Sequence, residues 1–398
     1  MKILAISTYY KPIRPGYGTR TPEIIIDSAA RLGHDVTVYT GIVPKDMISD
    51  EKYSKRKHIE KIGDGSVEIN RIWIPTSGHN KPLSRTLIYL MFVFSCFFKM
   101  LFNKNYDVVL GLFPFPPFLI LLEILAKIKR KKFYMHQGDL FPETVIDFHI
   151  IKNKFAIDFL RKISIWSFNL ADIIGVNNLA TKVGMKRYPI DQNKVKYLEL
   201  AIDTELFYPI KKPTNTNFTV LYNGVFGPAY DFDLMLNAAK KMEGKDIEFI
   251  IAGKGELEQY IRNGIKKRNL TNVKVLGPVK EIKDLVKRLN YCDIAILCLV
   301  PSEVSKTPHP SKIFEYMACG KPVICVGAGA VEEIFKRSGG GLLVPPKDID
   351  GFTKSILKFY DNRKLCEEIG IKARSYIEAN HSMEVYMRNF EVIINSLR

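Results

Sequence analysis

Short apolar runs, each bounded by polar or turn-forming residues and each followed by a stretch with helical periodicity, recur along this chain in two successive series. The first series is Lys2 to Tyr9, Asp35 to Tyr39, Val67 to Ile74, Asp107 to Leu112, Lys132 to Met135, Asp172 to Val176 and Lys194 to Leu198. The second is Phe218 to Asn223, Glu248 to Ala252, Val273 to Gly277, Asp293 to Leu299, Pro322 to Val326 and Leu342 to Val344. A strand that is always followed by a helix re-enters its sheet in the same direction, so alternation of this kind builds parallel sheets covered by helices on both faces. The pattern predicts an α/β chain with two doubly wound parallel sheets in tandem. Its 398 residues suffice for two or three domains.

Periodicity lapses between Ala201 and Asn217, where Pro209, Pro213, Asn215 and Asn217 cluster. A domain boundary is expected there, with residues 1–205 and 206–380 forming two Rossmann-like halves. Sheets of this type bind ligands beyond the carboxyl ends of their strands, and two in tandem predict a shared cleft. The first half opens as strand, glycine-bearing turn and helix: Gly16 and Gly18 precede Arg20, and Thr21-Pro22 reads as an N-cap followed by an N1 proline.

Fifty-nine basic against 42 acidic residues leave a net charge of +17, which favours an anionic partner: a phosphorylated substrate, nucleic acid or an acidic membrane surface. No recognised nucleic-acid-binding motif accompanies the charge, so nucleic acid is set aside. The six cysteines show no CxxC spacing, which points to a reduced cytosolic setting without structural zinc. The start, Met1 to Ile6, reads as a strand rather than a signal peptide.

Thr86 to Phe98 carries no charge and lies between Arg85 and Lys99. A bilayer-spanning helix needs about 20 apolar residues. Two readings stay open: a core helix, or one that also dips Phe92, Phe94, Phe97, Phe98 and Phe102 into a membrane interface. Phe113 to Ile128, followed by Lys129 to Lys132, reads as a core helix with a solvated basic end.

The segment His309 to Pro322 runs from a loop through a helix to Gly320 and a further buried strand. Pro310 and Ser311 suit a helix start, where free amides, assisted by Lys312, form a site for a diphosphate. Glu315 lies one turn on, within reach of both hydroxyls of a ribose; a capped helix with a surface glutamate would account for the same residues. Two D-x-D triplets, Asp231 to Asp233 and Asp348 to Asp350, fall at helix starts, where carboxylates cap amides without any metal.

Pro310 to Pro322, followed by Gly339 to Pro346 and Asp348, resembles the carboxy-terminal signature of the retaining GT-B glycosyltransferases of family 4. The "PSK...EY.A.GKPVI" pattern, with Asp139 to Glu143 (DLFPE), looks like the fucosaminyltransferase-like branch of cell-surface polysaccharide synthesis. Arg31 to Thr40 and Asp203 to Phe207 fit as well, so the resemblance extends over nearly the whole chain.

The resemblance implies a GT-B fold in which residues 381–398 cross back to the first domain. It also implies transfer of a sugar from a nucleotide-diphosphate donor to a hydroxyl with retention of configuration, without a cofactor or essential metal. Glu315 matches the second glutamate of the family's E-x7-E motif; Thr307 stands where the first would be. The loop Gly224 to Asp231, with Gly227 inside it, lacks the arginine and lysine common in relatives. Charge for the diphosphate is then assigned to Lys254, next to Gly255, and to Lys312 and Arg20. Asp139 is assigned acceptor positioning and His136 a contact with the reacting sugar, against a helix cap and a satisfied core histidine respectively. The implied acceptor is a polyprenyl-diphosphate-linked saccharide, with the enzyme peripheral on the cytoplasmic face of the membrane. A nucleotide-sugar epimerase and a catalytically degenerate membrane-bound scaffold are the alternatives.

Overall fold

The computed structural model describes residues 1–11, 20–42, 55–75, 82–113, 115–147, 151–212, 217–301 and 310–398. They form two compact units, the first running to Leu200 and regaining Tyr386–Arg398, the second comprising Ala201–Val385.

In the first unit, strands β1 (Lys2–Ser7), β2 (Asp35–Gly41), β3 (Lys57–Ile62), β4 (Gly65–Ile72), β5 (Val108–Gly111), β6 (Lys132–Gln137), β7 (Ile173–Val176) and β8 (Val195–Tyr197) form one sheet. Its order is β3-β4-β2-β1-β5-β6-β7-β8. All pairings are parallel except β3 with β4. The connecting helices are α1 (Thr21–Arg31), α2 (Pro82–Phe102), α3 (Ile120–Ile128), α4 (Glu143–Asp147), α5 (Lys154–Leu170) and α6 (Leu179–Met185). Central strands such as Val108-Val109-Leu110 are apolar throughout because helices cover both faces of the sheet.

Strand β3 is absent from the sequence reading. Its six residues, Lys57-His58-Ile59-Glu60-Lys61-Ile62, include three charged side chains and only two aliphatic ones and lie at the sheet edge, paired antiparallel with β4 through a hairpin whose Gly63 has φ +59°. Charges on an edge strand discourage pairing with another chain and also mask its strand character in the sequence. The N-cap of α1 likewise falls on Arg20 rather than Thr21, which begins the helix.

Helix α2 is longer than its uncharged stretch. Ile88, Phe92, Cys96 and Met100 are buried in the core shared with α3 and the sheet, whereas Phe94, Phe98 and Phe102 are exposed. Of the five phenylalanines read as candidates for a membrane interface, Phe92 is therefore a core residue, and Phe97 packs partly buried against that core. The basic end of α3 also differs from expectation. Lys129 Nζ donates to the carbonyls of Met100, Leu101 and Asn103 at 2.6, 2.7 and 2.8 Å, so it caps the carboxyl end of α2.

The second unit contains β9 (Phe218–Val225), β10 (Ile247–Lys254), β11 (Val273–Leu276), β12 (Ile294–Cys298), β13 (Val323–Val326) and β14 (Gly341–Val344). They form a fully parallel sheet in the order β11-β10-β9-β12-β13-β14. Its helices are α7 (Phe232–Lys241), α8 (Glu258–Arg268), α9 (Ile282–Tyr291), α10 (Ser311–Ala318), α11 (Ala330–Ser338), α12 (Ile349–Asp361) and α13 (Arg363–Asn380). Arg374 on α13 donates to Ala318 O at 2.7 Å and Thr204 O at 3.0 Å, tying the entry segment to the end of α10. The last helix, α14 (Met383–Asn395), counts with the first unit from Tyr386 on, and its Phe390 ring lies 6.4 Å from that of Tyr134.

Candidate functional site

In the second unit the candidate residues gather at the carboxyl ends of β9 and β10. The two strands pair in register to their last residues, Gly253 beside Gly224 and Lys254 beside Val225. This proximity requires glycine. A Cβ on Gly253, at φ +146°, would lie 1.8 Å from Gly224 O, and one on Gly255 would lie 2.4 Å from Phe226 O. Gly227 meets only Val225 at an ordinary 3.7 Å, so packing does not demand a glycine there.

Helix α10 points its start toward the same strand end. Ile313, Phe314, Tyr316 and Met317 bury its inner side, and it ends in a Schellman turn, with Gly320 at φ +67° and Lys321 N–H donating to Tyr316 O at 3.0 Å. Tyr316 pins the helix to β9, since its hydroxyl accepts from Asn223 N–H at 2.9 Å and donates to Asn223 O at 3.0 Å. Pro310 is the N-cap and offers no side-chain cap; Ile313 N–H is taken by Pro310 O at 3.0 Å, which leaves the Ser311 and Lys312 amides as the donors without a backbone partner among the described residues, the groups with which a helix start can bind an anion.

Lys312, in that first turn, crosses over Gly224. Its Nζ donates to the Tyr230 hydroxyl at 2.8 Å and lies 4.7 Å from the centre of that ring. Tyr230 is fixed in turn, because its loop joins the end of β12 through Asp231 N–H to Cys298 O at 2.9 Å and Val300 N–H to Ala229 O at 3.0 Å. The ammonium is thus held beside the open amides, an arrangement that stabilises negative charge. Glu315 follows one turn along, half-exposed, and Lys254 ends β10 on the exposed side.

The sequence reading did not single out Tyr230, Tyr316 or Arg288. Arg288 donates to Gly277 O at 2.8 Å and Asn223 Oδ1 at 3.3 Å, and burial lowers its pKa. An arginine inside an apolar-periodic helix followed by a strand carries no local mark of such a role. The D-x-D carboxylates are engaged: Asp231 and Asp348 cap Leu234 and Gly351 at 2.8 Å each, Asp233 meets Arg268 at 2.7 Å, and Asp350 meets Lys241.

In the first unit, His136 and Gln137 end β6. His136 Nδ1 lies 3.3 Å from the Tyr134 hydroxyl, while His136 Nε2 and Gln137 Oε1 are buried with no hydrogen-bond partner among the described residues. Burial pulls the imidazole down to about 4, so it is neutral at physiological pH. The Tyr134 phenol keeps its proton, since burial raises its pKa. Donation of that proton to Nδ1 leaves Nε2 protonated and available to donate. A buried unpaired donor and a buried unpaired acceptor at a strand's carboxyl end are the groups a polar ligand would satisfy. Asp139 follows with an exposed edge, its pKa raised by desolvation, and its carboxylate caps no helix among the described residues. Arg20 lies in the same unit, 3.3 Å from Glu23 Oε1. Gly16, Gly18 and Thr307 lie outside the described residues.

Comparison with known proteins identifies the second unit. Residues 204–376 match the family described as glycosyl transferases group 1. The second unit is a group 1 glycosyltransferase domain. The chain is accordingly an enzyme, a retaining glycosyltransferase that uses a nucleotide sugar, and its two parallel-sheet units are those of the GT-B fold. An uncharacterised glycosyltransferase of Methanocaldococcus jannaschii is 25% identical over 258 residues, 61% of this chain and 69% of its own length. The amylovoran biosynthesis glycosyltransferase AmsK of Erwinia amylovora is 26% identical over 164 residues, 39% of each chain. Among solved structures, Anabaena HepE in complex with UDP-glucose matches over 100% of both chains with a TM-score of 0.72 and 17% identity, a likeness of fold.

Proposed function

We propose that this glycosyltransferase moves a sugar from a uridine-diphosphate donor to a hydroxyl of a polyprenyl-diphosphate-linked saccharide, in cell-surface glycan synthesis at the cytoplasmic face of a membrane. The observation that carries the donor half is the Lys312 ammonium, held by Tyr230 above Gly224 beside the uncapped start of α10. Preorganised positive charge aimed at a departing diphosphate stabilises the charge that develops there as the glycosidic bond opens. Lys312 and the Ser311 amides take the diphosphate, Lys254 and Arg20 add charge, and Glu315 takes the ribose hydroxyls. Gly224, Gly227 and Gly255 leave the backbone open to the donor, and the donor-binding assignment of Gly16 and Gly18 rests on the sequence alone.

His136 offers its Nε2 proton to the reacting sugar, and Asp139 orients the acceptor hydroxyl. In a front-face retaining transfer the leaving diphosphate oxygen accepts the acceptor's proton, so neither side chain has to act as a base. The uridine donor is supported by the fold shared with HepE, the glycan pathway by the similarity to the amylovoran enzyme, and the lipid-linked acceptor by the basic balance and α2. The fucosaminyltransferase-like branch rests on Pro310 to Pro322 and Asp139 to Glu143 alone, and Thr307 leaves the donor sugar to be chosen by experiment.

Thermal stabilisation across nucleotide sugars, followed by transfer assays with lipid-linked and soluble acceptors, tests this reading. Stabilisation by uridine-linked donors, abolished in Lys312→Met, supports the donor site. Equal stabilisation of wild type and Lys312→Met would remove it, and transfer only to soluble glycosides would remove the lipid-linked acceptor.

A further inference from the structure

Helices α2, α3 and α5 form one layer on a single face of the first sheet. Their inner residues, among them Phe92, Leu122 and Phe168, belong to one core cluster, α3 packs against both α2 and α5, and Lys129 locks the end of α2. The outer side of this layer is apolar in two stripes. Phe94, Phe98 and Phe102 succeed one another at helical spacing along α2, and Phe155, Phe159 and Trp166 do the same along α5. All six are exposed, Phe102 at 81% and Phe155 at 87%. A soluble surface leaves such residues scattered rather than aligned on neighbouring helices.

Helix α2 is, among the described residues, the one helix long and apolar enough to cross a bilayer. Topology forbids it. The strands at its two ends, β4 and β5, lie in the same sheet with β2 and β1 between them, and a crossing would put them on opposite sides of the membrane. Its inner stripe is also committed to the core. The helix is left the orientation of an interfacial element, parallel to a surface with one side immersed.

Charge selects the occupant. Helix α2 contains no acidic residue, and Glu123 of α3 is buried, hydrogen-bonded to Ser167 at 2.8 Å, its pKa raised well above the ordinary carboxylate range by desolvation. Around the stripes stand exposed Arg85, Lys99, Lys104, Lys127, Arg130 and Lys162, against exposed Asp158 on α5. We propose that the outer faces of α2, α3 and α5 form a docking platform for an anionic lipid bilayer, with the aromatic side chains in the headgroup region and the lysines and arginines on the lipid phosphates. This deepens the membrane part of the function proposed above and adds α5 as a second anchor; the donor site has no part in it.

Trp73 and Trp166 are the two tryptophans, so a Trp73→Phe protein reports on Trp166 alone. Vesicles of phosphatidylcholine with phosphatidylglycerol are expected to shift its emission to the blue, with quenching by lipid-borne nitroxides, in a salt-sensitive manner. Pure phosphatidylcholine should bind more weakly. Phe94→Ser with Phe98→Ser, and separately Phe155→Ser with Phe159→Ser, should each weaken partitioning at least about tenfold. Nucleotide-sugar stabilisation should persist in both variants, which separates failure of the platform from failure of the donor site. Unmoved Trp166 emission would overturn the proposal even if the double variants failed to fold. So would full binding by both variants, or a soluble dimer that the same substitutions dissociate.

Discussion

Gly224 and Lys312, 88 positions apart in sequence, share one space: a Cβ built on Gly224 would stand 1.8 Å from Lys312 Cε and 3.0 Å from its Nζ. The lysine therefore lies across the strand end only because residue 224 has no side chain. This relationship makes one glycine a determinant of where a cation sits, and the neighbouring glycine a determinant of folding.

Gly224→Ala is expected to displace the flexible lysine while leaving the backbone in place. Donor binding should weaken about tenfold or more, with unfolding free energy changed by less than about 1 kcal/mol. Gly253→Ala, whose Cβ would strike Gly224 O in a backbone conformation that L-residues avoid, should instead lower stability by about 2 kcal/mol or more. Paired urea titrations and donor-binding isotherms separate the two outcomes.

Tyr230→Phe keeps the ring near Lys312 and removes the hydroxyl that receives its proton at 2.8 Å. A charge-assisted hydrogen bond contributes about 1.5–3 kcal/mol, part of which the lysine recovers from water, so donor affinity should fall about three- to tenfold. Isothermal titration with donor checks this, and an affinity identical to wild type would show that the tyrosine does not position the lysine.

His136 is held neutral by burial, with its pKa lowered to about 4 from an ordinary 6.5. The unfolded chain then binds a proton that the folded chain refuses between these values, so stability is full above about pH 6.5 and declines as pH falls toward 4. The difference in proton affinity corresponds to about 3 kcal/mol. His136→Gln should flatten that part of the pH–stability curve measured by urea unfolding. A slope equal to that of wild type would mean the ring titrates as it does in the unfolded chain.

Lys129 closes the carboxyl end of α2 on three carbonyls. Lys129→Met keeps the aliphatic stem and should cost about 1–3 kcal/mol, visible as a lower midpoint in thermal unfolding and faster amide exchange near Phe102. An unchanged midpoint would show that water replaces the lysine without loss.

Much of this architecture follows from the sequence, since hydrophobic period is local: runs such as Val108 to Leu110 and Ile294 to Cys298 are apolar on both faces and admit only buried strands. Proline and glycine marked the bounds of α10, and with them the positions of Lys312 in its first turn and Glu315 further along the helix. The edge strand Lys57–Ile62 was not, because its charges suit solvent as well as a sheet edge.

What the tertiary structure alone decided is which side chains share space. Arg288 reaches Asn223 from α9, Tyr316 reaches it from the inner side of α10, Tyr230 meets Lys312 from the loop after β9, and Phe92 and Phe98 of one helix part company between core and surface. A sequence sets the period of each element; it does not state which face meets the sheet or what lies across the next strand. Those follow from packing between residues far apart in the chain, and at the Gly224–Lys312 crossing that packing sets where the charge stands.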